Sequence, residues 1–94
     1  MTKAEIVAEI ATKTGVEKIS VQTTVEAFME TVKVAMQKGD NVYLRGFGSF
    51  IVKKRAQKTG RNISKNTTLI IPAHSIPAFK PAKTFVTDVK HSVK

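Results

Sequence analysis

From Lys3 to Lys38 the apolar positions recur at intervals of three and four. Ile6, Val7, Ile10 and Ala11 make a first stripe, closed by Gly15, which suits a left-handed helix exit. Val21, Val25, Phe28, Met29, Val32, Ala35 and Met36 make a longer one, closed by Gly39, with Glu26, Glu30 and Lys33 outside it. Thr2 and Glu5 have the spacing of a capping box at the first helix start. Two such helices with a short connection predict an αα-hairpin, with Phe28, Met29 and Met36 as core.

At Asn41 the period changes to two. "NVYL" and "SFIV" read as strands, and the glycines of the intervening "RGFG" allow a tight hairpin reversal. Phe50 and Val52 fall on one strand face and Ile51 on the other. Beyond Val52 one face continues as Lys54, Ala56 and Lys58, the other as Lys53, Arg55 and Gln57. Neither can build a core, so the pattern predicts a ribbon projecting from the body over about 53–74. Apolar residues resume at Leu69, Ile70 and Ile71, then Ile76 and Phe79, where the ribbon returns. Pro72 and Pro77 lack ladder donors and belong at an edge, bulge or bend. Over "PAKTFVTDVK" the spacing predicts a short helix starting at Pro81, with Phe85 and Val89 as an i,i+4 pair.

The expected fold class is therefore α+β. Two N-terminal helices precede a three-stranded antiparallel sheet with a long ribbon arm, and a short C-terminal helix follows. All 94 residues read as one domain, with a helical part over 1–40, sheet and arm over 41–80, and helix and tail over 81–94. So small a domain, with part of it extended, buries little surface alone, and oligomerisation is expected.

Charge changes this picture through its placement. Residues 1–40 carry five lysines against six acids, whereas residues 41–87 carry nine lysines and arginines and no acid. A merely solvated surface mixes signs; a one-sign segment of this density fits a polyanion. There is no cysteine, so neither a disulfide framework nor a thiolate metal site is available. No apolar run has signal-peptide or membrane-spanning character, and the chain reads as a soluble intracellular protein.

Catalytic and cofactor readings find little support. "GFGSF" matches neither the dinucleotide fingerprint nor the Walker pattern. His74 and His91 are far apart, with no clustered acids to complete a metal site. No nucleophile and base are paired, and a metal-dependent nuclease would need acids in a segment that has none. The expectation is a non-enzymatic protein without cofactor or metal.

"RGFGSF", "TGRN" and "IPAFKPAK", in that order, resemble the bacterial HU and integration host factor family of DNA-bending proteins. The resemblance covers about Lys3 to Lys90. It implies an intertwined dimer whose helical body carries a β-saddle and two arms that wrap into the DNA minor groove. Members of this family are themselves the type examples of minor-groove architectural binding. By position, Phe47, Phe50 and Phe79, joined here by Phe28 of the helical stripe, are implied to form the dimer core. Arg55, Lys58, Arg61 and Asn62 resemble arm residues that contact phosphates and groove edges, with Lys53, Lys54 and Lys65 adding charge along the same arm. Lys3 resembles a near-N-terminal phosphate contact. Arg45, Lys80 and Lys83 resemble the integration host factor branch, where such groups contact the DNA flanks.

The arm departs from the family pattern twice. Ile63 stands where the family has the proline that wedges between base pairs, and Lys65 where it has Ser or Thr. An apolar wedge replaces a lost stacking contact, which isoleucine can do; the alternative is an isolated exposed apolar side chain. The functional expectation is a nucleoid-associated cytoplasmic protein that bends and compacts duplex DNA with low sequence preference. It should favour bent, nicked or flexible sites and act as a homodimer, with a heterodimer left open. A sequence-preferring regulator and an RNA-binding protein are the competing readings.

Overall fold

A computed structural model of the chain describes residues 1–62 and 67–93. These form two compact units, Met1–Ala35 and Met36–Lys94.

The first unit contains α1 (Lys3–Thr14) and most of α2 (Lys18–Gln37). The Thr2 hydroxyl oxygen accepts from the Glu5 backbone N–H at 3.3 Å and donates to the Glu5 carboxylate at 3.2 Å. One half of the expected capping box is therefore present; the carboxylate accepts from the Thr2 hydroxyl. Gly15 ends α1 at φ 75°, with its N–H on the Ala11 carbonyl, because only glycine enters that region without steric cost. Val7, Val21 and Val32 are buried. Phe28 and Met29 are not: they stay 46% and 40% exposed in the single chain. Their assignment to the core is corrected to that extent. A seven-residue stripe on a 20-residue helix is wider than a 12-residue partner can cover.

The second unit is built on a three-stranded antiparallel sheet of order β1-β2-β5, from β1 (Val42–Leu44), β2 (Gly48–Arg55) and β5 (His74–Pro81). A separate ribbon pairs β3 (Lys58–Asn62) with β4 (Thr67–Ile71). β1 is short, so the Val52 N–H passes beyond its last pair, Val42 with Phe50, and is taken by the Asn41 side chain at 2.9 Å. Pro77 lies on β5, an edge strand, where a missing donor is tolerated.

Two sequence expectations change here. The hairpin loop is Arg45-Gly46-Phe47, closed by the Leu44–Gly48 pair, so only Gly46, at φ 80°, serves the reversal. Gly48 serves close packing: a Cβ there would lie 2.6 Å from both the Lys80 carbonyl oxygen and the Phe79 ring. The last helix, α3, spans Lys83–Ser92 and does not start at Pro81. Pro81 still pairs with Gly48, and the Ala82 N–H donates to the Phe47 carbonyl at 2.9 Å, which holds the chain extended for one residue more.

Those contacts assemble a four-ring cluster. Phe79 lies 5.2 Å from Phe47, 5.0 Å from Phe50 and 6.4 Å from Phe85, and Phe47 stacks on Phe85 at 5.4 Å. Such pairs add about 0.5–1.5 kcal/mol each beyond area burial. Phe47 and Phe79 nevertheless remain 45% and 39% exposed in one chain.

Candidate nucleic-acid interface

Strand alternation and register divide the sheet into two unlike faces. Val42, Leu44, Phe50, Val52, Pro77 and Phe79 share one, with the aromatic cluster. The other carries Tyr43, then the pairs Ser49–Lys80, Ile51–Ala78, Lys53–Ile76 and Arg55–His74. Tyr43 on that face is 72% exposed. Lys80, Lys53 and Arg55 thus lie along one exposed surface, separated by small or apolar side chains that leave it without acids. Lys54, opposite Ser75, belongs to the aromatic face but at its distal, exposed end.

The β2–β5 ladder ends at Arg55 and His74, and the β3–β4 ladder begins at Lys58 and Ile71. Ala56 and Gln57 on one side and Pro72 and Ala73 on the other break the two ladders at the same level. Proline contributes to the break, since it offers no donor to a continuing ladder. At this joint a groove of about 300 Å³ is lined by Arg55, Ala56, Lys58, Ile71, His74 and Ile76.

The remaining sequence-predicted residues are spread along the second unit. Arg45 sits in the β1–β2 loop, Lys83 opens α3, and the backbones of Arg61 and Asn62 close β3 opposite Thr68 and Thr67. Ile63 and Lys65 lie outside the described residues. Among the aromatic residues, Phe50 and Phe79 pair directly across the ladder. Phe85, singled out in sequence only for its helical spacing with Val89, joins them. His74 was considered in sequence only as a metal ligand, but it lies on the cationic face two residues before Ile76, as period-two counting would show.

Lys3 belongs to the first unit and is already engaged, its Nζ lying 3.0 Å from the Glu26 carboxylate. The hydrogen bond from Lys3 and a second from Gln22, with the charge of Lys3 behind them, hold the Glu26 carboxyl below the usual carboxylate range. Because the folded-state value is depressed, this pair stabilises the fold above the unfolded carboxylate range and loses that contribution as pH falls through the folded value. A phosphate that recruits Lys3 competes with Glu26 for the ammonium. Glu26→Gln should therefore raise duplex affinity, by roughly two-fold for an exposed pair, in a fluorescence-anisotropy titration; unchanged affinity would mean that Lys3 takes no part.

Comparison with known proteins settles the family. Residues 1–90 match the family described as Bacterial DNA-binding protein. The chain belongs to the HU family of bacterial DNA-binding proteins. It is 41% identical over 90 residues to the SPbeta prophage-derived DNA-binding protein HU 2 of Bacillus subtilis (strain 168), covering 96% of this chain and 98% of that one. To the DNA-binding protein HU of Geobacillus stearothermophilus it is 39% identical, covering 96% and 100%. Among solved structures, an Anabaena HU–DNA cocrystal structure superposes with a TM-score of 0.87 at 37% identity over the whole of both chains. HU from Thermotoga maritima gives 0.66 at 28% identity, covering 95% and 98%. As an HU-family protein the chain is an architectural DNA-binding protein and not an enzyme, and the α+β fold is that of the HU structures.

Proposed function

We propose that this HU-family chain acts as a homodimer in the nucleoid, bending and compacting duplex DNA through the minor groove with low sequence preference. The segregation of the sheet into an acid-free cationic face and an aromatic face carries this reading. The cationic face offers Lys53, Arg55 and Lys80 to phosphates, and Lys58, Arg61 and Asn62 follow them along the chain in β3. Phosphate neutralisation with counterion release supplies affinity but no sequence information. The aromatic face leaves Phe47 and Phe79 half exposed in one chain, and Phe28 of α2 is separately half exposed, which suits a second copy as cover. The likeness to an HU chain crystallised with DNA supports the same use of these elements.

Ile63 follows Arg61 and Asn62 directly and is the wedge in this reading, entering the base stack where those two hold the groove. Unstacking costs a few kcal/mol per step, offset by the additional wrapped contacts. Preference then follows deformability, so nicked or pre-bent duplexes bind better than intact ones.

The experiment is a bend-angle measurement by energy transfer across intact and nicked duplexes of random sequence, at two salt concentrations, with structured RNA as competitor. A bend larger on nicked DNA, weak competition by RNA, and a clearly smaller bend for Ile63→Ala are expected. An unchanged bend for Ile63→Ala removes the wedge, and preferential binding of RNA removes the duplex-bending reading.

A further inference from the structure

His74 lies at the joint between sheet and ribbon. It pairs in register with Arg55 on the cationic face, and both line the groove of about 300 Å³ with Lys58. Directly opposed side chains on an antiparallel pair stand with Cβ atoms about 4.5–5.5 Å apart, close enough to share one ligand group. The ring is oriented, because its Nδ1 lies 2.9 Å from the Pro72 carbonyl oxygen. A carbonyl oxygen only accepts, so Nδ1 carries a proton and donates it. That leaves Nε2 as the nitrogen available to a ligand.

The groups facing His74 are all cationic or uncharged. On β2 they are Arg55 and, one pair further, Lys53; on β3, Lys58; β4 reads Thr-Thr-Leu-Ile-Ile; on β5 the neighbours are Ser75 and Ile76. No acid occurs between residues 41 and 87. Within the groove no negative partner faces the ring, and three cations surround it. A DNA phosphate entering the groove reverses that balance.

We propose that His74 is a phosphate-contacting residue at the base of the ribbon, donating through Nε2 to a backbone phosphate between Arg55 and Lys58, so that DNA binding takes up a proton. Histidine is the side chain whose charge changes near neutral pH. By linkage, uptake of a proton on binding means that affinity rises as pH falls. Ala56, Ile71 and Ile76 supply the apolar part of the groove lining. This inference rests on the DNA-binding reading.

The test is duplex binding by the full chain, by fluorescence anisotropy at pH 6 and pH 8 over a salt series, for wild type, His74→Ala, His74→Arg and His91→Ala. For wild type, affinity should be roughly two- to five-fold higher at pH 6, with a log–log salt slope steeper by about 0.9 for each histidine engaged. His91→Ala should keep both differences and His74→Ala should lose both. His74→Arg should bind at both pH values as wild type does at pH 6. If His74→Ala keeps the pH difference, or wild type binds equally and with one slope at both, the assignment of His74 is wrong while DNA binding stands. No duplex binding by wild type at either pH would overturn both.

Discussion

Replacing Lys53, Arg55 and Lys58 together by glutamine is expected to weaken duplex binding at 0.15 M salt by at least about 100-fold, with the fold intact. The figure follows from counterion release: each phosphate contact contributes about 0.9 to the log–log salt slope, so three lost contacts flatten it by roughly 2.7 in each protomer. All three residues are exposed, and two of them line the groove at the joint. None enters an ion pair among the described residues. Their removal therefore costs the fold little. The informative control removes equal charge elsewhere: Lys13, Lys33 and Lys38 to glutamine, all in a stretch where acids balance the lysines. That control should change affinity by less than about three-fold, because neighbouring acids already offset these charges and exposed pairs of this kind contribute little. Equal losses for the two triple variants would mean that total charge, and not the cationic face, governs binding.

The second large effect is expected at Phe79. Its ring meets those of Phe47, Phe50 and Phe85, and its edge lies where a Cβ on Gly48 would have to go. Truncating a well-packed phenylalanine costs about 3–5 kcal/mol, and for a domain of this size each kcal/mol lowers Tm by roughly 4–8 °C. In a single chain Phe79 is still 39% exposed, so the full cost arises only if a second copy covers the remainder. Phe79→Ala should therefore lower Tm by at least about 12 °C and shift the chain towards monomer in sedimentation. The Tm of the wild type should rise with protein concentration, as for any fold linked to association. A loss below about 2 kcal/mol, with a wild-type Tm independent of concentration, would place the aromatic cluster inside a self-sufficient monomer.

Much of the architecture was readable without coordinates because it depends on local rules. The helices follow from apolar spacing and from Gly15 and Gly39. The alternation of Phe50, Ile51 and Val52 assigns their faces, and the absence of core-forming residues after Val52 already implies a projecting ribbon. The concentration of cations in residues 41–87 pointed to a polyanion before any face was known. Where the structure differs from these local rules, partners distant in sequence decide. Pro81 looks like a helix start until its pairing with Gly48 is seen, and Gly48 looks like a turn glycine until Phe79 and Lys80 are brought against it.

The amino-acid order by itself determined the elements, the polarity of each strand face and the one-sign field, since each is set by side chains within a few positions of one another. Tertiary structure alone decided the β2–β5 register. That register sets Arg55 opposite His74, Lys53 opposite Ile76 and Phe50 opposite Phe79. It also decided which cations share a surface, that Phe85 joins the aromatic rings, and that Lys3 is held by Glu26. Pairing of residues 19 or more positions apart depends on the closure of the whole sheet, and a shift of one position would move every side chain to the opposite face.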